Sequence, residues 1–271
     1  MAILKRNLTN FVRDKMKLIF SIFMSVFLLF VFSFAMKGST AGIANPMNYL
    51  ISGVIIMSVF QAALSNSANI LEDISMGVMK EILVSPMARW QISIGQILSS
   101  TIIAVVQSLI MIVIGLFMGL NINVFQFLEM LGVMIAVGAT FSAIGLYLAT
   151  LAKSSTTFQI MINVAIMPFT FLSGAYIPTT TMPKIILPLV YINPLTYTTA
   201  IFRYISLKMG GMSSAALVKA GVAFNVNGFI IMPYIGLLII LTMGLLFFIL
   251  CVRQFNKADF SNVKSFNPDN I

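Results

Sequence analysis

Glu72, Asp73, Lys80, Glu81 and Arg89 fall within the single stretch Asn69–Gln91, between two long apolar runs that carry no charge. Clustered carboxylates can hold a metal or move protons. The chain has no histidine, however, which removes the commonest metal ligand and the usual general base. The chemistry left to such an island is ion pairing with another surface. Leu71, Ile74, Val78 and Ile82 recur at three- and four-residue steps, so a helix here would carry one apolar stripe, with Glu72, Asp73, Lys80 and Glu81 mainly off it. An ordinary solvated loop is the rival account. Acidic side chains on a cytoplasmic face are repelled by anionic lipid, so a basic soluble protein suits them better than the bilayer does.

A second set of polar groups lies inside the apolar runs: Gln61, Asn66, Gln96, Gln107, Gln159 and Asn163. They are the candidates for contact with a transported molecule. The competing role is a hydrogen bond to a neighbouring helix, worth about 0.6 kcal/mol on average in lipid. No acid or base stands in the middle of an apolar run, and Glu129 falls near the outer end of the fourth. An uncharged path disfavours a proton-coupled pump and suits an amphiphilic or lipid-like cargo. Gly115 and Gly119 form a small-xxx-small pair that would let helices approach closely.

A phosphate loop requires G-x-x-x-x-G-K-[ST] after a strand. The nearest stretch, Ala152-Lys153-Ser154-Ser155, has alanine where glycine is needed and ends an apolar run. Lys153 reads as a cytoplasmic anchor. The chain is therefore expected to carry no nucleotide site, no metal and no cofactor of its own, and not to be an enzyme. Cys251, the one cysteine, excludes an intrachain disulfide and reads as packing or lipid-facing bulk.

The elements that must position these groups are membrane helices. Hydrophobic residues make up 59% of the 271-residue chain and charged residues 8%, against about 25% charge in soluble domains. A helical span takes about 20 apolar residues. Five are placed near 18–36, 47–67, 92–118, 127–151 and 157–176, and a sixth near 229–251. The fold class is all-α, with six transmembrane helices in one domain, 18–251, and a cytoplasmic tail, 252–271. Residues 1–17 are expected to lie on the membrane surface, with Leu4, Leu8, Phe11, Val12 and Met16 on one face and Lys5, Arg6, Arg13 and Lys17 mostly opposite. A disordered basic tail is the alternative. The first apolar run exceeds the core of a cleavable signal.

Between Tyr176 and Gly228, residues 185–201 are apolar enough to span, but Pro183, Pro188 and Pro194 each remove a backbone donor. Charge supplies a second argument. With six spans, the N-terminus, the 69–91 loop, the Lys153 turn and the C-terminal tail share one side and hold 11 of the 16 basic residues. A seventh span would move the tail across, against the positive-inside rule. Residues 178–200 are therefore expected to enter the outer leaflet and return, and 202–227 to form an exterior loop. Flanking basic residues and anionic lipid account for the net charge of +9, so no nucleic-acid partner is expected.

Gly77-Val78-Met79, then Pro86-Met87-Ala88-Arg89 and Gly95, followed by Phe171-Leu172-Ser173-Gly174-Ala175-Tyr176-Ile177-Pro178, Pro183, Tyr191-Ile192-Asn193-Pro194-Leu195-Thr196-Tyr197 and Arg203, occur in this order along the chain. The pattern resembles the permeases of type-2 ABC exporters, of the daunorubicin-resistance and nodulation-factor export kind, over essentially the whole chain. The resemblance implies a cytoplasmic coupling helix that docks on an ATP-binding subunit, assigning Glu72, Asp73, Gly77, Lys80, Glu81, Pro86 and Arg89 to that contact. Many relatives place a basic residue near Glu81. It also implies that the N-terminal helix touches that subunit. Ser173, Gly174, Pro178, Pro183, Pro188, Asn193, Pro194 and Leu195 would form an outward-facing re-entrant gate. Two permeases, identical or paralogous, would assemble with two ATP-binding subunits that hold ATP and Mg, in the plasma membrane of a prokaryote with both termini cytoplasmic. The expected activity is export of a hydrophobic or amphiphilic drug or antibiotic. A lipid-linked saccharide is the next cargo, and an ion-coupled secondary transporter and a non-transporting scaffold are the rivals from other classes.

Overall fold

The computed structural model describes residues 2–37, 46–75, 89–152, 154–226 and 228–257. Its long helices are α1 (Ala2–Arg13), α2 (Lys15–Lys37), α3 (Pro46–Asn66), the short α4 (Asn69–Ser75), α5 (Arg89–Phe117), α6 (Val124–Leu151) and α7 (Ser155–Leu172). Two short helices follow, α8 (Leu187–Ile192) and α9 (Pro194–Ser206), then α10 (Ser214–Lys219), a hairpin of β1 (Phe224–Val226) and β2 (Phe229–Ile231), and α11 (Pro233–Lys257). Five helical stretches are long and apolar enough to cross a membrane: Pro46–Asp73, Trp90–Phe117, Val124–Leu151, Ser155–Leu172 and Pro233–Gln254. Ile19–Phe34 is a shorter apolar stretch within α2. The chain is thus a mostly helical, multi-pass membrane protein.

Local sequence sets the helix starts. Asn123 accepts from Gln126 N while the Gln126 side chain accepts from Asn123 N, a reciprocal cap that opens α6. Ser154 caps α7, and Pro194 sits in the first turn of α9 behind Asn193, whose side chain accepts from Leu195 N. The apolar length of α3 is almost wholly enclosed by α2, α5, α6 and α9, with Leu50, Ile51, Ile55, Ile56, Val59 and Ala63 buried. The outer helices keep large apolar side chains exposed: Phe20, Phe23 and Phe30 on α2, Ile160, Val164 and Met167 on α7, Leu238 and Leu245 on α11. In water these would be a liability; for a chain in lipid they are the solvated surface.

Several expectations shift. The N-terminal helix ends at Arg13 rather than 17, and α2 starts at Lys15. It packs on α5 with Asn7 and Phe11 buried, while Val12 and Met16 of the expected apolar face stay exposed. The segment 202–227 is not a loop throughout. α9 runs on to Ser206, a 3-10 turn covers Met209–Gly211, and α10 and β1 follow. The hairpin adds a small antiparallel sheet with Val226 paired to Phe229. Gly115 makes the close approach proposed for it, since a Cβ there would come within 2.7 Å of Ile51 on α3. Gly119 lies beyond the end of α5 with φ +100° and faces open space, so it serves the turn and not a helix contact.

Candidate functional site

Two buried polar assemblies hold the bundle, one at each end of α3. At the α4 end, Asp73 is buried although it belongs to the charged island. Its Oδ2 pairs with Arg6 Nη2 from α1 and accepts from Gln96 Nε2 of α5 at 3.0 Å. Beside it Asn7 Nδ2 donates to Gln96 Oε1 and to Ser99 Oγ, both at 2.9 Å. One carboxylate thus fastens α1, α4 and α5 together. A charge can stay at this depth because a paired, hydrogen-bonded ion avoids most of the desolvation cost that an isolated one meets. Glu72, the preceding residue, is exposed. A polar crevice of about 310 Å³ opens there, lined by Asn10, Asp14, Asn66, Glu72, Asp73 and Gln159 among others.

At the opposite end Arg203 of α9 is fully enclosed. Its guanidinium lies 3.3 Å from the centroid of the Tyr49 ring at the start of α3. Nε donates to Tyr49 O at 3.3 Å, Nη1 to Gly174 O at 2.8 Å and Nη2 to Ala175 O at 2.6 Å. A planar fork with five donors can serve three carbonyls and an aromatic face at once. The carbonyls of Gly174 and Ala175 follow the end of α7, where no helical donor remains for them. Asn193 adds a second tie, its Nδ2 donating to Phe169 O at 2.8 Å. Thr196 Oγ1 donates to Val190 O at 2.8 Å and Tyr197 OH to Tyr191 O at 2.6 Å, which binds α8 to α9 across the Asn193 break. Tyr176 stacks on Phe32 of α2 with ring centroids 4.6 Å apart.

Gly53 makes the Arg203 knot possible, since a Cβ there would lie 2.4 Å from Ala175 O and 2.9 Å from Arg203 Nη2. Gly53→Val is expected to cost about 2–3 kcal/mol, the upper range of overpacking. Thermal unfolding in detergent checks this, and an unchanged midpoint would mean that α3 and α7 do not meet so closely.

Of the residues assigned to coupling, Glu72 and Asp73 share α4 but face apart, one outward and one inward. Gly77, Lys80, Glu81 and Pro86 lie outside the described residues. Arg89 begins α5, and its side chain is also outside them. Of the gate residues, Ser173, Gly174, Asn193, Pro194 and Leu195 are buried and converge on the Arg203 end, whereas Pro183 and Pro188 are exposed and Pro178 is half-buried. Of the six path candidates, Asn66 and Gln159 line the polar crevice beside Asp73. Gln96 is spent on Asp73 and Asn7, Asn66 donates to Ala62 O, and Gln107 donates to Ser21 Oγ of α2. Gln159 and Asn163 are exposed on α7, and Gln61 is half-buried. In the stretch rejected as a phosphate loop, Ala152 ends α6 and Ser154 caps α7, its hydroxyl accepting from Thr157 N. Lys153 is outside the described residues.

Tyr49, Gly53, Arg6 and Asn7 are site-building residues that the sequence reading passed over. Only the N-terminal placement of Arg6 next to Asn7 offered a signal, and it read as a polar helix face.

Residues 1–207 match the family described as "ABC-2 type transporter". Among individual proteins, the chain is similar to the "Probable multidrug ABC transporter permease YbhR" of Escherichia coli K12, 28% identical over 161 residues, covering 57% of this chain and 42% of that protein. It is also similar to the "Inner membrane transport permease YhhJ" of the same strain, 26% identical over 185 residues, covering 67% of this chain and 44% of that one. The chain spans less than half the length of these relatives. The match over 1–207 reaches from α1 through the Arg203 knot, and it establishes that this chain belongs to the ABC-2 type transporter family.

Proposed function

We propose that this chain is the transmembrane subunit of an ATP-driven exporter that moves a hydrophobic or amphiphilic, drug-like molecule out across a prokaryotic plasma membrane. ATP and Mg are bound by a separate ABC subunit, present in two copies, and a second permease, identical or paralogous, completes the pathway. The chain itself has no catalytic role. In this reading α2, a 23-residue helix, is the first of six spans, the α4 end faces the cytoplasm with both termini, and α8 and α9 form the re-entrant gate.

The observation that carries the proposal is the Asp73 lock. A push on α4 is passed through a buried ion pair and its hydrogen bonds to α1 and α5, so the three helices move as one piece. Swinging a two-state transporter from 1:99 to 99:1 takes about 5.5 kcal/mol of differential binding, and a rigid contact is needed to deliver it. Glu72, exposed beside the lock, and Glu81 are the groups offered to the ATP-binding subunit. Asp73, being turned inward, acts behind that surface.

The test reverses Glu72 and Glu81 to lysine together and leaves Asp73 in place. Loss of co-purifying ATPase and of export, with membrane insertion and unfolding midpoint retained, is the expected result. Export at the unaltered rate would leave the island with no part in coupling.

A further inference from the structure

A cavity of about 890 Å³ opens between α6, α9 and α11, and neither Asp73 nor Arg203 lines it. That volume lies within the range of about 300–1,000 Å³ typical of ligand pockets. Val133, Ala136, Ile201, Leu237 and Leu241 supply an apolar floor, and Glu129 and Lys208 stand on its rim with opposite charge. Leu241 is also among the exposed side chains of α11, so the cavity communicates with the lipid-facing surface.

The polar groups at the rim divide into spent and available ones. Asn123 and Gln126 are used by the α6 cap, and Gln126 Nε2 donates to Ile205 O at 2.8 Å. Neither Glu129 nor Lys208 forms an ion pair among the described residues, although they face one cavity. Glu129 and Ala136 are seven residues apart on α6, so the cavity runs roughly 10 Å along the helix at 1.5 Å per residue. Charge of both signs at the mouth with hydrocarbon below is the shape of an amphiphile with a zwitterionic head.

We propose that this cavity binds a phospholipid of the phosphatidylethanolamine type, with its ammonium group on Glu129, its phosphate on Lys208 and an acyl chain along Val133, Ala136 and Leu241. The site goes beyond the export reading and does not depend on it. An ammonium head is favoured over an anionic one because an anionic head leaves the Glu129 carboxylate facing negative charge.

Gly132 supplies the decisive variant. A Cβ there meets nothing within 4 Å, and the residue lines the cavity. Gly132→Phe therefore places its Cβ without a clash and adds bulk at a residue that lines the cavity. The full chain in detergent is given equal amounts of phosphatidylethanolamine and phosphatidylglycerol, and retained lipid is counted by native mass spectrometry. One phosphatidylethanolamine per chain is expected, preferred roughly fivefold, in keeping with the strength of one partly exposed charge pair. Gly132→Phe should abolish retention at an unaltered unfolding midpoint. The isosteric Glu129→Gln should bring the two lipids to equal retention. The proposal is overturned if the unaltered chain retains both lipids equally or neither, if Gly132→Phe keeps its lipid, or if Glu129→Gln keeps the preference.

Discussion

Arg203→Leu is expected to cost about 4 kcal/mol or more, an exceptional value for one substitution. Hydrogen bonds to a charged group contribute about 1.5–3 kcal/mol each, and a buried acceptor left without its donor costs about 1–3 kcal/mol. Leucine removes the donors to Tyr49 O, Gly174 O and Ala175 O together and takes the cation from the Tyr49 ring. Thermal unfolding in detergent should fall by roughly 10 °C, at about 2–4 °C per kcal/mol for a chain of this size. Arg203→Lys separates charge from geometry. A compact ammonium keeps the positive charge but cannot span carbonyls on two elements, so it should recover less than half of the loss. If lysine restores the full midpoint, charge alone matters and the fork geometry does not.

Asp73→Ala is expected to cost about 1–3 kcal/mol. Removing one member of a fully buried pair costs about 3–5 kcal/mol. Arg6 keeps 31% of its side-chain surface accessible, and solvent softens its loss of a partner. Gln96 loses an acceptor as well. A double-mutant cycle with Arg6→Ala isolates the pair, and the coupling should be about 1 kcal/mol or more. Should Asp73→Ala cost as much with Arg6 absent as with Arg6 present, the lock would have no energetic content.

The spans were legible because apolar length is a property of neighbouring residues. α3, α5, α6, α7 and α11 fall within a few residues of the expected runs, and Pro188 and Pro194 stand in the first turns of two separate helices, α8 and α9. The two polar assemblies were not legible, for one shared reason: their compensating groups are remote in sequence. Asp73 reads as surface because its partners stand 67 and 23 residues away. Arg203 follows an apolar run, where a basic residue ordinarily marks the water side. Its acceptors lie 28, 29 and 154 residues back. The hairpin is a different kind of omission. Asn227-Gly228 between two short apolar runs is a strong local signal for one, and the loop assignment passed over it.

The wiring of α1 also sets an order of events at the ribosome. Arg6 and Asn7 are synthesised before their partners Asp73, Gln96 and Ser99, which follow 67, 89 and 92 residues later. At about 5–20 residues per second of synthesis, this helix waits on the order of 3–18 seconds with a cation and an amide that have only each other to hold. During that interval the nascent chain needs a temporary host for them, and the membrane surface or the insertion machinery is the place where such a host would be found.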